Sequence, residues 1–131
     1  METLAYEHVP GVYALVHEST DRAEIVHVFG DLDLVSAPEF ESHMVKSVRI
    51  GKGLIVNLLG CKYIDSTALA ALVRAQKVVG SRLRVVITQG SNVDRVFKIT
   101  AMKQYFPVSY QLEHAMLDNV HLAQSGGSAA S

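Results

Sequence analysis

A single cysteine, Cys61, is all that this chain of 131 residues contains. No internal disulfide framework can form, and a lone thiol fits a reducing compartment. Cys61 has no histidine or second cysteine close to it in sequence, which reads as a buried or idle thiol rather than a nucleophile. An excess of one charge is also missing: 12 Lys and Arg stand against 13 Asp and Glu, for a formal net charge of −1. Arg74, Lys77, Arg82 and Arg84 are spread over a helix and a strand instead of gathering with aromatics, so a nucleic-acid footprint is not expected. No apolar run approaches the ~18 residues of a membrane span, and no apolar segment follows a basic N-terminal region. Neither membrane insertion nor export is expected, and the predicted location is the cytoplasm.

Several catalytic signatures are absent too. His8, His17, His27, His43, His114 and His121 include no His-x-x-x-His pair and no carboxylate at ligand spacing on one helical face, which argues against a metal site. Ser66 does not sit in a Gly-x-Ser-x-Gly elbow, so a hydrolase triad is unsupported. There is no Gly-x-x-x-x-Gly-Lys loop to cradle a nucleotide phosphate, and no other small-molecule site is visible.

What is present is apolar residue, 49% of the chain, enough for one folded domain with a real core. The expected domain runs over 1–123, with 124–131 a flexible polar tail that has nothing to bury. Pro10-Gly11 predicts a turn, and Val12 to His17 a strand. Ala23 to Phe29 alternates as a second strand, with Val26 and Val28 on one side and Ile25, His27 and Phe29 on the other; the two should form a hairpin. Gly30 to Ser36 reads as a loop. Ser36 and Glu39 are spaced as a capping box, and Phe40, Met44 and Val48 as the buried stripe of a first helix that ends at Gly51 to Gly53.

The organising stretch is Leu54 to Val79. Its first half is an apolar run ended by Gly60, read as a parallel strand buried on both faces. Its second half turns helical: Leu69, Leu72, Val73, Gln76 and Val79 recur at that period, with Asp65 as N-cap and Gly80 as stop. A strand at Arg82 to Thr88 follows, then a short helix capped by Ser91 or Asn92 with Val93, Val96 and Phe97 inside. Tyr105 to Tyr110 reads as a last strand, placed at a sheet edge by Pro107, and Leu112, Met116 and Val120 as a last helix. The order β-β-α-β-α-β-α-β-α predicts an α/β fold: a mostly parallel central sheet with an N-terminal antiparallel hairpin strand and about four helices. Ser66 and Thr67 then lie just beyond the carboxyl end of a central strand, where open α/β sheets usually place their chemistry.

Asp31, Asp33, Asp65, Ser66 and Thr67 form the richest polar constellation. On spacing alone, Asp65 caps a helix, Asp31 and Asp33 solvate a loop, and the two hydroxyls fill a first turn that accepts small polar residues. The same residues belong to a longer pattern. Gly30-Asp31-Leu32-Asp33 precedes a capped helix, Val56-Asn57-Leu58 leads to Tyr63-Ile64-Asp65-Ser66-Thr67, and Val93-Asp94-Arg95-Val96-Phe97 follows. This pattern covers most of the chain and resembles the STAS family, in particular its bacterial anti-sigma factor antagonists.

The resemblance implies a STAS-like fold, no cofactor, no enzyme activity of the chain's own, and an anti-sigma factor serine kinase as partner. In such antagonists the Ser after the Asp of an Asp-Ser-Ser/Thr-Gly-Leu motif is phosphorylated by that kinase; carried over, it is Ser66, with Thr67 the weaker candidate. The implied docking surface comprises Asp31, Asp33, Leu34, Asp65, Ser66, Thr67, Leu69, Ala70 and Arg74, although Leu69 also starts an apolar stripe. Ala68 stands where the family usually has Gly, which favours the helix and adds a methyl group beside the site. Thr100-Ala101 replaces a common Ser-Gly pair. Within the same fold a scaffold module of a stress-sensing assembly, or an accessory subunit of lipid transport, is the alternative. A receiver-type phosphoacceptor, with Asp65 taking the phosphoryl group beside Asp31 and Asp33, is a third reading, and it lacks a Lys at the end of the last strand. The expected state is a monomer or weak dimer.

Overall fold

Short runs rich in Val, Ile and Leu become the five strands of one mixed sheet in the computed structural model, which describes residues 12–117. The strands β1 (Tyr13–Ser19), β2 (Ala23–Leu32), β3 (Gly53–Ile64), β4 (Leu83–Val86) and β5 (Val108–Ser109) lie side by side in that order. The β1–β2 pair is the expected antiparallel hairpin, and every later pair is parallel. Helices α1 (Ala37–Lys46), α2 (Ser66–Val79) and α3 (Asn92–Ile99) fill the crossovers, and another helical segment occupies 112–117.

Strand alternation sorts the two faces. Val26, Val28, Leu54, Val56, Leu58, Leu83 and Val85 point to one side, where Phe40 and Met44 of α1, Leu72 of α2 and Phe97 of α3 complete the main core. Each such side chain, essentially excluded from water, stabilises the fold by roughly 1.5–3 kcal/mol. Ile25, Ile55 and Val86 point the other way and meet Ala115, Leu112 and Met116 of the 112–117 segment. β3 is therefore buried on both faces between Leu54 and Leu58, as its sequence predicts.

Several boundaries differ from the sequence reading. β2 does not stop at Phe29 but runs through Gly30 and Asp31 to Leu32, so the first three residues of the expected loop are strand. Gly30 has φ +91°, and a Cβ there would lie 2.4 Å from the Val12 carbonyl oxygen: it marks a strand irregularity, not a loop. Gly60 likewise does not end β3, which continues to Ile64. A Cβ on Gly60 would come within 2.5 Å of the Phe29 ring, so here glycine provides close approach between neighbouring strands. α1 ends at Lys46, leaving Val48 packed on the core from outside the helix. The last strand shrinks to Val108–Ser109 after a 3₁₀ turn at Met102–Gln104, and it does lie at the sheet edge. The Pro10-Gly11 turn, Val120, His8, His121 and the tail at 124–131 lie outside the described residues.

Candidate functional site

The site is built where β2 and β3 end together. Leu32 pairs with Ile64, and the Asp65 N–H donates to the Leu32 carbonyl at 3.1 Å, so the loop after β2 and the start of α2 are held side by side. Asp65 is extended, at φ −115° and ψ −178°, and one carboxylate oxygen accepts from the Thr67 N–H at 2.9 Å and the Ala68 N–H at 3.2 Å. Its carbonyl accepts from the Leu69 N–H at 3.0 Å. Asp65 thus satisfies two of the donors that a helix start leaves open and accepts the first intrahelical bond, as its sequence position predicts. The Ser66 side chain stands exposed on the first turn, and among the described residues its hydroxyl has no hydrogen-bond partner. Thr67 is half-buried beside it.

The neighbouring loop is wired from within. Asp33 is 2% exposed, and its Oδ1 accepts from the Val35 and Ser36 N–H groups at 2.9 and 3.1 Å. Ser36 is fully buried; its hydroxyl donates to the Asp31 carbonyl at 2.8 Å and accepts from the Asp33 N–H at 2.9 Å. The expected Ser36–Glu39 capping box is therefore not made. The Ser36 hydroxyl is drawn back into the loop, and Glu39 accepts instead from the Tyr13 hydroxyl of β1. With its polar groups turned inward, the loop turns its apolar residues out. Leu34 is 71% exposed and Val35 58%.

Of the residues assigned to a docking surface, the structure brings Leu34, Asp65, Ser66, Thr67 and Ala70 to or near one surface at the ends of β2 and β3. Others do not face outward. Asp31 is 1% exposed because it belongs to β2, Asp33 is buried by the loop bonds just described, and Leu69 packs into the main core. Ala68 is fully buried, so the methyl group that replaces the family glycine points into the core and not toward a partner. Arg74 is exposed, but its Nε and Nη2 grip both carboxylate oxygens of Glu41 on α1 at 2.9 and 2.8 Å. The Arg74 hydrogen bonds hold the Glu41 carboxyl below the usual carboxylate range, against the effect of burial. Val35 escaped the sequence reading; an apolar pair between the inward-bonding residues Asp33 and Ser36 is the signal that marks it.

Beside the site, on the open side of the β3 extension, a cleft of about 680 Å³ is lined by Leu59, Cys61, Lys62, Tyr63, Ser91 and Asn92, with Thr88 at its wall. Cys61 is 7% exposed, burial pushes its thiol up to about 11, and its Sγ donates to the Tyr63 carbonyl. It is an inert core thiol at neutral pH. At the far side of the cleft Ser91 caps α3 by accepting from the Asp94 N–H at 3.1 Å. Asp94, 1% exposed, accepts from the Gly90 N–H and the Tyr110 hydroxyl and meets Lys98, and its carboxyl is held low first by the Gly90 bond. The carboxylates of Asp33 and Asp65 are each taken up by separate backbone N–H groups, which gives no support to an acidic receiver pocket. Among the described residues, no three His, Cys, Asp or Glu side chains converge as a metal site, and no helix is long and apolar enough to cross a membrane.

An open mixed sheet that displays a seryl hydroxyl on the helix after its central strand, next to an outward-facing apolar loop, defines a small α/β module whose chemistry lies on its surface. The family model of the STAS domain matches residues 14–115, and the chain belongs to the STAS domain family. Among solved structures, an anti-sigma factor antagonist from Mycobacterium paratuberculosis superposes with a TM-score of 0.77 at 22% identity, over 87% of this chain and 99% of that one. A putative anti-sigma factor antagonist from Thermotoga maritima gives 0.69 at 18% identity, over 81% and 94%. The anti-sigma factor antagonist SpoIIAA in its unphosphorylated form gives 0.60 at 19%, over 82% and 96%; the Bacillus protein in its phosphorylated form gives 0.56 at 20%, over 82% and 99%. At these identities the likeness is one of fold. No curated protein is significantly similar to the chain in sequence.

Proposed function

We propose that this protein is an anti-sigma factor antagonist whose unphosphorylated form binds an anti-sigma factor kinase and is released by phosphorylation of Ser66, so that a sigma factor is freed or recaptured. The observation that carries this reading is the Ser66 hydroxyl itself: exposed, uncommitted, and fixed in place by the Asp65 cap directly beside it. The fold shared with SpoIIAA, a protein solved in both unphosphorylated and phosphorylated forms, supports it. Leu34, Val35 and Ala70 form the apolar rim a partner would cover, while Asp33 and Asp65 act as positioning residues.

In this reading the chain supplies the acceptor and the partner supplies ATP, Mg²⁺ and catalysis. The Ser66 oxygen attacks the γ-phosphorus, the bond from that phosphorus to the ADP oxygen breaks, and the hydroxyl proton passes to a base on the kinase. The product carries about −1.5 to −2 charges at neutral pH. That charge sits next to the Asp65 carboxylate and the exposed Leu34, so a partner shaped for a neutral hydroxyl and an apolar rim meets repulsion and an added desolvation cost. The fold itself survives, because a helix N-terminus favours negative charge.

The test is incubation with the anti-sigma kinases of the protein's own cell and ATP, followed by intact mass and site mapping, with Ser66→Ala as control. The expected result is one phosphate on Ser66 and none on the variant. No phosphate from any of those kinases, while the chain still bound another partner through the Leu34 face, would favour a scaffold or transport-accessory role instead.

A further inference from the structure

The two edges of the sheet are unequal. β5 is two residues long and follows Pro107, which has no N–H to offer a ladder. β1 is seven residues long, pairs with β2 without a register shift from Tyr13 to Ser19, and contains no proline, lysine or arginine. The irregularities of this sheet fall between β2 and β3 instead. Among the described residues no strand covers the outer side of β1. Ala14 pairs with Phe29, so Ala14, Val16 and Phe29 share one sheet face; Val16 is 50% exposed and Phe29 47%.

We propose that β1 is a homodimer interface, pairing antiparallel with β1 of a second copy about a two-fold axis through Val16. Val16 is the midpoint of the strand, so this register uses all seven residues. It sets Val16 against Val16, Leu15 against His17, Ala14 against Glu18 and Tyr13 against Ser19. No like charges are opposed, and like charges directly across a ladder are what would destabilise it. Centring the pair one residue later would set His17 against His17. His17 and Glu18 of the strand also keep their own partners, His17 on Glu24 at 2.6 Å and Glu18 on His27 at 2.8 Å. A second copy is thus the occupant that this edge fits by its own pattern of charge, and the contact closes on itself as isologous interfaces do. Ser66 follows β3, two strands away, so each copy keeps its own site and the dimer displays two.

Sedimentation equilibrium of the full chain over a concentration series tests this. The mass is expected to rise from 14.3 kDa toward twice that value. Ala14 is exposed, so its variants are expected to fold, with unchanged circular dichroism. Ala14→Glu opposes Glu18 of the other copy and should weaken the dimer at least tenfold, about one decade of Kd. Ala14→Lys meets the same Glu18 and should keep or tighten it. A chain that stays monomeric up to about 1 mM, the range of the weakest specific contacts, overturns the proposal. A dimer that both Ala14 variants leave unchanged also overturns it, because its interface then lies elsewhere.

Discussion

Ala101 has φ +55°, the left-handed region, and is the described non-glycine residue that does so. It stands where the STAS pattern commonly has Gly, and an alanine held there costs about 1–2 kcal/mol relative to one in a relaxed backbone. Ala101→Gly returns part of that gain to the more flexible unfolded chain, about 0.4–1 kcal/mol. The net expectation is a stabilisation of about 0.5–1 kcal/mol, read as a higher urea midpoint with an unchanged slope. Glu24 gives a pH prediction. It is 1% exposed, and burial alone would raise its carboxyl, but hydrogen bonds from Lys52, Ser19 and His17 outweigh that and hold it at about 2. Its folded value lies below its unfolded one, so its contribution is complete above about pH 4.5 and lost as pH falls toward 2. Denaturant melts across that window should show a fall in stability that Glu24→Gln flattens. Asp65→Ala removes the cap from Thr67 and Ala68 and should cost about 1 kcal/mol, measured by thermal melting.

At the scale of elements, the loop between β2 and α1 depends on one carboxylate. Asp33→Ala leaves the Val35 N–H and the buried Ser36 N–H without their acceptor, and should cost about 1–3 kcal/mol while letting Leu34 and Val35 move. If the loop is part of the docking surface, partner affinity drops with it, whereas Arg74→Ala, which breaks an exposed α1–α2 pair, should leave the melting temperature nearly unchanged. The same loop shows what the sequence could and could not tell. Periodicity located the five strands and the helices α1, α2 and α3 within a few residues, and the Asp65-Ser66-Thr67 start of α2 was legible because a cap and a period change coincide there. Gly30 and Gly60 misled because glycine marks both chain turns and close strand approach, and only the positions of Val12 and Phe29 decide which. Asp31 and Asp33 looked solvated, and Ser36 a helix cap, because a polar residue's burial depends on which backbone groups reach it, and those come from the fold. The outward turn of Leu34 and Val35 follows from that burial and was hidden with it.

For the whole molecule, the account rests on a change of charge at one point of a nearly neutral protein. Neither the core nor the sheet needs to move: Ser66 lies outside the packed stripe formed by Leu69, Leu72 and Ala75, so its modification should leave the far-ultraviolet spectrum unaltered. Binding should change while structure does not. The most direct measurement is a calorimetric titration of the anti-sigma kinase with the unmodified protein, with Ser66→Ala, and with protein phosphorylated at Ser66. The account predicts similar affinity for the first two and at least tenfold weaker binding, a loss of about 1.4 kcal/mol or more, for the third. Equal affinity for the phosphorylated and unmodified forms would contradict it, and would leave Ser66 as no more than a small residue in the first turn of a helix.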